Sequence, residues 1–258
     1  MIEEYLRGIS GSALPELDEA IRYSLLSGGK RVRPRLCLAA ARAAGAEPRD
    51  ALPAAAALEM VHAFSLVHDD LPALDDDDER RGQPTSHVRF GEAVAVLVGD
   101  ALLNGALRLV AERLDGPAEV RLAVTSELAR GVAGMIDGQY LDVTAAGLPG
   151  EQELIRIHRL KTGALIEASV VCGALVARAE PAPFRAYGAE LGLLFQIVDD
   201  ILDEGGDGEP SYVNTLGMER ARALAEQSHA RADELLAAIG GDTAELAGLT
   251  EMVATRTA

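Results

Sequence analysis

Apolar and polar residues alternate at the spacing of α-helices along almost the whole chain. Residues 14–26 show this period clearly, with Pro15 in the first turn and the helix-breaking Gly28 and Gly29 just beyond. No strict apolar–polar alternation is long enough to predict a strand, and no repeat or linker divides the chain. The pattern therefore predicts an all-α fold in a single domain that covers residues 1–258.

Further helices follow from the same period, and most of them are bounded by glycine, proline or acidic residues. They cover residues 34–45, 52–70, 91–114, 118–142, 151–179, 184–203, 213–239 and 242–255. Asp50 is expected to cap the helix at 52–70, and Pro72 is expected to end or kink it. We expect an interruption at Gly163, because glycine destabilises a helix by about 1 kcal/mol relative to alanine.

Composition narrows the classes of function. Hydrophobic residues make up 48% of the chain and aromatic residues only 3%, which suits closely packed helices rich in alanine, leucine and valine. A formal net charge of −17 argues against nucleic acid or an anionic membrane surface as a partner. Cys37 and Cys172 are the only cysteines, so we expect a reducing, cytoplasmic setting. The longest uncharged apolar run, residues 168–177, is too short for a membrane span.

Residues 65–82, which read SLVHDDLPALDDDDERRG, form the most acidic segment of the chain. Its carboxylates belong to Asp69, Asp70, Asp75, Asp76, Asp77, Asp78 and Glu79. Carboxylates this close together repel one another unless a cation neutralises them, and oxygen ligands suit Mg²⁺. The guanidinium groups of Arg80 and Arg81, directly behind them, suit phosphate. A solvated acidic loop is the alternative interpretation of this segment taken by itself.

A second acidic segment, FQIVDDILD, favours the metal interpretation. Asp199 and Asp203 lie four residues apart and share one helix face, whereas Asp200 is offset from it. The helix is otherwise largely apolar, so an unneutralised pair of carboxylates on it would be costly, and a divalent cation would remove that cost. Gln196 lies one turn before this pair.

The chain contains only two lysines, and both lie in motif-like segments. Lys30 and Arg33 belong to GGKRVRP, where two glycines let the backbone approach a ligand, and Lys161 lies at the predicted helix break. Cations and Mg²⁺-loaded carboxylates bind diphosphates, and an apolar cavity between helices binds a hydrocarbon tail. The predicted substrate is therefore a diphosphate that carries a hydrocarbon chain.

These segments resemble the trans-isoprenyl diphosphate synthases, most of all the bacterial farnesyl diphosphate synthase type. The resemblance extends from about residue 16 to residue 203. It rests on GGKRVRP, EMVHAFSLVHDDLPALDDDDERRGQPTSH, FGEAVAVLVGDALL, GMIDGQYLD, HRLKTGALI and LLFQIVDDILD. It implies an isoprenoid-synthase helical bundle around a central apolar cavity, a homodimer, and the condensation of isopentenyl diphosphate with an allylic diphosphate.

The resemblance also implies roles for individual residues. Asp69 and Asp75 would hold two Mg²⁺ ions and Asp199 a third, with Asp70 and Asp203 in support. The residues assigned to the diphosphate of isopentenyl diphosphate are Lys30, Arg33, His62 and Arg81, and Gly29 is a further substrate-binding residue. Those assigned to the allylic diphosphate, and with it to catalysis, are Arg80, Lys161, Thr162 and Gln196.

Phe64 carries the prediction of product length. It lies five residues before Asp69, and two extra residues separate Asp70 from Asp75, both of which in the family accompany a fifteen-carbon product. We therefore expect farnesyl diphosphate, with geranylgeranyl or geranyl diphosphate as alternatives. The segment after Asp203 departs from the family, since DDILDEGGDGEPSYVNTLG lacks the lysines expected to close over the allylic diphosphate.

Three other classes are alternatives. A non-catalytic member that partners an active synthase is compatible with the missing lysines. A terpene cyclase would share the first aspartate segment, but the second segment and GGKRVRP argue against it. A di-iron bundle would use Glu59-x-x-His62 and Glu226-x-x-His229, but it leaves both aspartate segments unexplained.

Overall fold

The structure, a computed structural model, describes residues 1–145, 149–203 and 211–256. Helices dominate these ranges, which confirms the predicted all-α class. Within them, the strands are limited to Glu79–Arg80 (β1) and Gln83–Pro84 (β2), which pair antiparallel as a short hairpin. The lysine-free segment at residues 204–210, which includes Glu209, lies outside the described residues.

Thirteen α-helices occur in the described ranges. They are α1 Ile2–Arg7, α2 Pro15–Leu25, α3 Val32–Ala43, α4 Leu52–Asp69, α5 Ser86–Phe90, α6 Glu92–Arg113, α7 Ala118–Thr144, α8 Glu151–His158, α9 Ala164–Val176, α10 Pro181–Leu202, α11 Tyr212–Leu216, α12 Met218–Ile239 and α13 Ala244–Ala254. A 3₁₀ turn, Pro48–Ala51, precedes α4, and a π-helical turn, Arg159–Gly163, joins α8 to α9.

Several predicted boundaries are wrong for identifiable reasons. The prediction that Asp50 caps α4 fails, because a 3₁₀ turn intervenes and α4 has no side-chain cap. The predicted helix at 213–239 is divided at Gly217, whose φ of 82° interrupts helical geometry. Helix α1 was not predicted. The break expected at Gly163 is present as the π-helical turn.

Helix α9 lies at the centre of the bundle, where it packs against α3, α4, α7 and α10. It is apolar apart from Glu167 and Ser169 and most of its residues are buried, as expected for a central helix. One core cluster joins α9 to α2, α3, α4, α6 and α7, and a second joins it to α3, α10, α12 and α13. This arrangement fixes α4 and α10, which carry the two aspartate segments.

Two helical segments are long and apolar enough to cross a membrane, by length and composition only, although no span was predicted. They are Pro48–Asp69 and Glu92–Arg113. The most apolar part of the first is 72% buried inside the structure, as is usual for a core helix. The corresponding part of the second is 33% buried, so much of its apolar surface faces outward in the single chain.

A buried ion pair fixes the turn before α3. Arg31 has a left-handed φ of 48°, and its guanidinium donates to Glu59 Oε1 at 2.5 Å and to Glu3 Oε1 at 2.6 Å. The side chains of Arg31 and Glu59 are only 6% and 5% exposed. This pairing engages the carboxylate that a di-iron site would need from Glu59, and no group of three or more metal-ligating side chains occurs in the described residues.

We expect Glu59→Gln to lower the free energy of unfolding by about 3 kcal/mol, because it leaves the buried Arg31 charge without its main partner. Glu3→Gln is the matched control. The Glu3 side chain is 44% exposed, so its loss is expected to cost less than about 1 kcal/mol. Urea unfolding of both variants measures the difference, and equal effects would contradict this account of the turn.

Candidate active site

The first aspartate segment folds back on itself at the end of α4. Asp69 is the last helical residue, and the backbone N–H of Asp75 donates to the carbonyl of Asp69 at 2.8 Å. The turn predicted from Pro72 thus returns Asp75 to the side of Asp69. Burial raises the pKa of Asp69 to about 6, and the nearby carboxylates of Asp75 and Asp70 push in the same direction. These crowded carboxylates favour a site for added positive charge.

Asp70 has a different environment from Asp69. Its side chain is 5% exposed, and its Oδ1 accepts from Nε of Arg80 at 2.6 Å. Arg80 also reaches Asp77 at 3.3 Å. The carboxylate of Asp70 is therefore already neutralised, and it ties the hairpin to α4. The structure thus places Asp70 and Arg80 together as a supporting pair behind Asp69.

The second aspartate segment has two outward carboxylates, Asp199 and Asp203, and one inward carboxylate, Asp200. Asp199 is 42% exposed and accepts from Arg256 Nη2 at 2.6 Å. Asp203, just past the end of α10, is exposed, and its backbone N–H donates to the carbonyl of Asp199 at 3.0 Å. Asp200 points inward and is only 6% exposed. Burial raises its pKa to about 6.

Asp200 belongs to a hydrogen-bond chain that orients the residues assigned to the allylic diphosphate. Its two oxygens accept from Gln196 Nε2 at 2.8 Å and from the backbone N–H of Tyr212 at 2.6 Å. Gln196 Oε1 in turn accepts from the hydroxyl of Thr162 at 2.7 Å. This chain fixes the direction of the Gln196 amide and fastens α11 to α10.

We expect Asp200→Asn to raise KM for the allylic substrate about tenfold and to leave KM for isopentenyl diphosphate within about twofold. An asparagine amide presents one acceptor oxygen, so it cannot satisfy both Gln196 and Tyr212. Steady-state kinetics with each substrate varied in turn measures the two constants. Equal increases in both would indicate general loss of structure and contradict this role.

The residues assigned to isopentenyl diphosphate surround one cavity, which we call the diphosphate pocket. Its volume is about 740 Å³, and it is lined by Gly29, Lys30, Arg31, Val32, Arg33, Glu59, His62, Arg81, Phe195, Met252, Val253, Thr255 and Arg256. Its walls therefore carry several cations and one carboxylate, and that carboxylate is already paired with Arg31. An anionic ligand would balance this charge.

Backbone conformation and the close approach of Arg81 require glycine at position 29 in the wall of this pocket. Gly29 has a φ of 114°, and a Cβ there would lie 2.8 Å from Arg81 Nη1. The Arg81 guanidinium also donates to the carbonyl of Gly28 at 2.5 Å.

Burial, together with Arg33 and Arg81, lowers the pKa of His62 well below its ordinary value, so the imidazole is neutral and able to accept or donate a hydrogen bond.

A second cavity, the apolar cleft, extends from the first aspartate segment along α4 and α7. Its volume is about 500 Å³, and its lining includes Phe64, Met135, Ile136, Tyr140 and Val143, with Asp69, Lys161 and Thr162 at its mouth. The Phe64 side chain is 8% exposed and meets the His68 ring edge-on at 5.0 Å between centroids. The cleft is open along α7, where Ile136, Tyr140 and Val143 are 52%, 68% and 59% exposed.

Two predicted site residues, Lys161 and Asp199, have partners that the local sequence pattern does not indicate. Lys161 Nζ lies 2.5 Å from Asp142 Oδ2. The two helical segments come this close because residue 138 is a glycine, and a Cβ there would overlap the Lys161 backbone. Asp142 ends the predicted helix 118–142 and belongs to the GMIDGQYLD segment, which does not indicate Lys161 as its partner. Arg256 had no local signal, since it lies far from Asp199 in sequence.

The aspartate pairs fit magnesium by the chemistry of their donors. Asp69 and Asp75, which the turn after α4 brings together, would supply carboxylate oxygens, and Asp199 on α10 would supply others. Within the described ranges, no three acidic, histidine or cysteine side chains converge on one point. This is expected for Mg²⁺, which usually takes one or two carboxylates and completes its shell with water and substrate phosphates.

A family model described as Polyprenyl synthetase matches residues 14–212. The chain belongs to the polyprenyl synthetase family. Its relatives and structural neighbours are trans-prenyl diphosphate synthases, so it is a prenyltransferase of the short-chain isoprenyl diphosphate synthase type. The predicted family membership is confirmed.

Individual polyprenyl synthetases similar to the chain make different products according to their names. Farnesyl diphosphate synthase from Geobacillus stearothermophilus is 46% identical over 216 residues, 81% of this chain and 72% of the relative. Large subunit 1 of the chloroplastic heterodimeric geranylgeranyl pyrophosphate synthase from Arabidopsis thaliana is 44% identical over 269 residues, 93% of this chain and 72% of the relative. The structure of geranyltransferase from Helicobacter pylori complexed with magnesium and isoprenyl diphosphate has a TM-score of 0.85 and 29% identity, and the match covers 98% of this chain and 92% of that one.

Proposed function

We propose that this chain is a magnesium-dependent farnesyl diphosphate synthase that acts as a homodimer. It condenses isopentenyl diphosphate with dimethylallyl or geranyl diphosphate and releases pyrophosphate. The observation that carries the choice of product is the position of Phe64, which is nearly buried in the wall of the apolar cleft, one turn before His68 and close to Asp69. A bulky ring there limits how far a growing chain extends beneath the aspartates.

The presence of two cavities supports separate binding sites for the two diphosphate substrates. The diphosphate pocket, with Lys30, Arg33 and Arg81, holds isopentenyl diphosphate. The mouth of the apolar cleft, with Asp69, Lys161 and Thr162, holds the allylic diphosphate and directs its hydrocarbon chain into the cleft. His62 lines both cavities, so the two substrates meet at its position.

The reaction needs charge stabilisation and no side-chain nucleophile. The allylic carbon–oxygen bond breaks, and its electron pair leaves with pyrophosphate. The terminal double bond of isopentenyl diphosphate attacks the allylic carbon, and a proton from the adjacent carbon passes to the released pyrophosphate. Three bound magnesium ions would supply positive charge to the leaving group. Lys161 and Arg80 add fixed positive charge. Asp200 orients Gln196, which holds the allylic diphosphate in position for the attack.

A geranylgeranyl product is the second candidate, because the apolar cleft is open along α7 beside Ile136, Tyr140 and Val143. A longer chain would fit if it bent past Phe64 towards this opening. The relative from Arabidopsis thaliana bears that product in its name.

The proposed homodimer is supported by the outward apolar surface of α6 and α7. Its exposed side chains are those of Val96, Leu97, Leu122, Ile136, Tyr140 and Val143, so a longer product requires that the partner leave the last three uncovered. Exposed apolar side chains concentrated on neighbouring helices are typical of a surface that a partner covers. Sedimentation of the purified protein measures its molar mass, and we expect the mass of two chains.

Product analysis tests the proposed function. The purified protein is incubated with labelled isopentenyl diphosphate, Mg²⁺ and, separately, dimethylallyl, geranyl or farnesyl diphosphate. We expect a fifteen-carbon product from the first two primers and little turnover with the third. A twenty-carbon product would favour the second candidate. Intact binding of both diphosphates without turnover would favour a non-catalytic partner.

A further inference from the structure

Arg256 is held against the carboxylate to which the proposed function assigns a magnesium ion. Its Nη2 donates to Asp199 Oδ1 at 2.6 Å and to the carbonyl of Phe195 at 2.9 Å. Its guanidinium carbon lies 4.2 Å from the centroid of the Phe195 ring. The side chain is 12% exposed, so these contacts hold it in place much more firmly than a loose surface ion pair.

A divalent cation and this guanidinium cannot share Asp199 without strong repulsion. Arg256 engages one of the two carboxylate oxygens directly, and a cation ligated by the same carboxylate would lie within a few ångströms of the guanidinium. Arg33 adds to the positive charge that faces Asp199. The positively charged side chains around Asp199 therefore disfavour a cation until a diphosphate arrives to compensate the charge.

We propose that Arg256 is an internal competitor for the divalent cation at Asp199. Its guanidinium neutralises the carboxylate in the substrate-free protein and is displaced when a cation enters with a diphosphate. Displacement leaves the side chain beside the diphosphate pocket, which Arg256 also lines. The inference rests on the proposed function only in assigning a cation to Asp199. It adds that cation binding there is coupled to release of one named side chain.

The test is a Mn²⁺ titration followed by electron paramagnetic resonance, with saturating inorganic pyrophosphate and no prenyl substrate. We expect Arg256→Gln to tighten Mn²⁺ binding about fivefold, since it removes the competing charge. Arg222→Gln removes the same charge from an exposed position on α12 and is the matched control, with an expected change below about twofold. Arg256→Lys keeps a cation near Asp199 and is expected to stay close to the wild type. Unchanged or weaker Mn²⁺ binding in Arg256→Gln would overturn the proposal.

Asp199→Asn separates failure of this inference from failure of the proposed function. If Asp199 ligates the cation, this variant weakens Mn²⁺ binding, and adding Arg256→Gln to it produces no further tightening. Unchanged Mn²⁺ binding in Asp199→Asn would overturn both the cation assignment and the competition. Weaker binding in Asp199→Asn, with no tightening in Arg256→Gln alone, would overturn only the competition. A fivefold tightening that persists in the double variant would indicate a general charge effect and also overturn it.

Discussion

Asp69→Asn is expected to lower turnover about a thousandfold while the protein stays folded. Asp69 lies where the end of α4, the returning Asp75 and the mouth of the apolar cleft meet. Its loss would remove a carboxylate that the proposed function needs to hold magnesium against the allylic diphosphate. Single-turnover kinetics at saturating Mg²⁺ measures the chemical step directly.

The pKa of Asp69 also predicts how this variant changes stability. Burial raises that pKa to about 6 from an ordinary value of 3.8. A carboxyl group with a raised folded-state pKa favours the folded state below about pH 4 and loses that contribution as the pH rises through about 6. We therefore expect metal-free Asp69→Asn to be more stable than the wild type at pH 7.5, by on the order of 1 kcal/mol, and equally stable near pH 4.

Asp76→Asn is the matched control for Asp69→Asn. Asp76 belongs to the same acidic segment but is exposed, and asparagine tolerates its φ of 56°. We expect its turnover to stay within about twofold of the wild type. A comparable loss in both variants would mean that the segment acts through its total charge, and would contradict a specific role for Asp69.

Phe64→Ala is expected to shift the main product from fifteen carbons to twenty or more. Removing the phenyl ring opens space beneath Asp69 comparable with one isoprene unit, in a wall where the ring is 8% exposed. Chromatography of the dephosphorylated products measures the chain length. The same substitution is expected to cost about 3 kcal/mol of stability, as is usual for a buried phenylalanine, so the assay is run at low temperature.

Phe184→Ala controls for that loss of stability. Phe184 is 4% exposed and belongs to the core cluster around α10, α12 and α13, outside the apolar cleft. We expect a similar destabilisation and no change of product length. A Phe64→Ala enzyme that still stops at fifteen carbons, or a Phe184→Ala enzyme that elongates, would refute the ring as the limit on chain growth.

Features encoded within a few residues could be predicted from the sequence. Pro72 predicts the turn that returns Asp75 to Asp69, and Gly163 predicts the break that became the π-helical turn at Lys161. Both depend on the backbone chemistry of one residue type. The predicted helices and the grouping of Lys30 with Arg33 follow from the same kind of local signal.

Contacts between distant segments could not be predicted in this way. The offset of Asp200 on α10 did not indicate that it fastens Tyr212, because that partner comes from another helix. Arg256 reaches Asp199 across 57 positions of sequence. The opening of the apolar cleft along α7 depends on how α4 and α7 pack, and the pattern of apolar residues on either helix does not determine that packing.

The most direct test of the site is a crystal structure with Mg²⁺, isopentenyl diphosphate and an unreactive thio analogue of an allylic diphosphate. We expect the isopentenyl diphosphate among Lys30, Arg33 and Arg81. We expect the allylic diphosphate between Asp69 and Asp199, with its chain directed towards Phe64. Diphosphates bound away from both aspartate segments, or a hydrocarbon chain outside the apolar cleft, would contradict the proposed site.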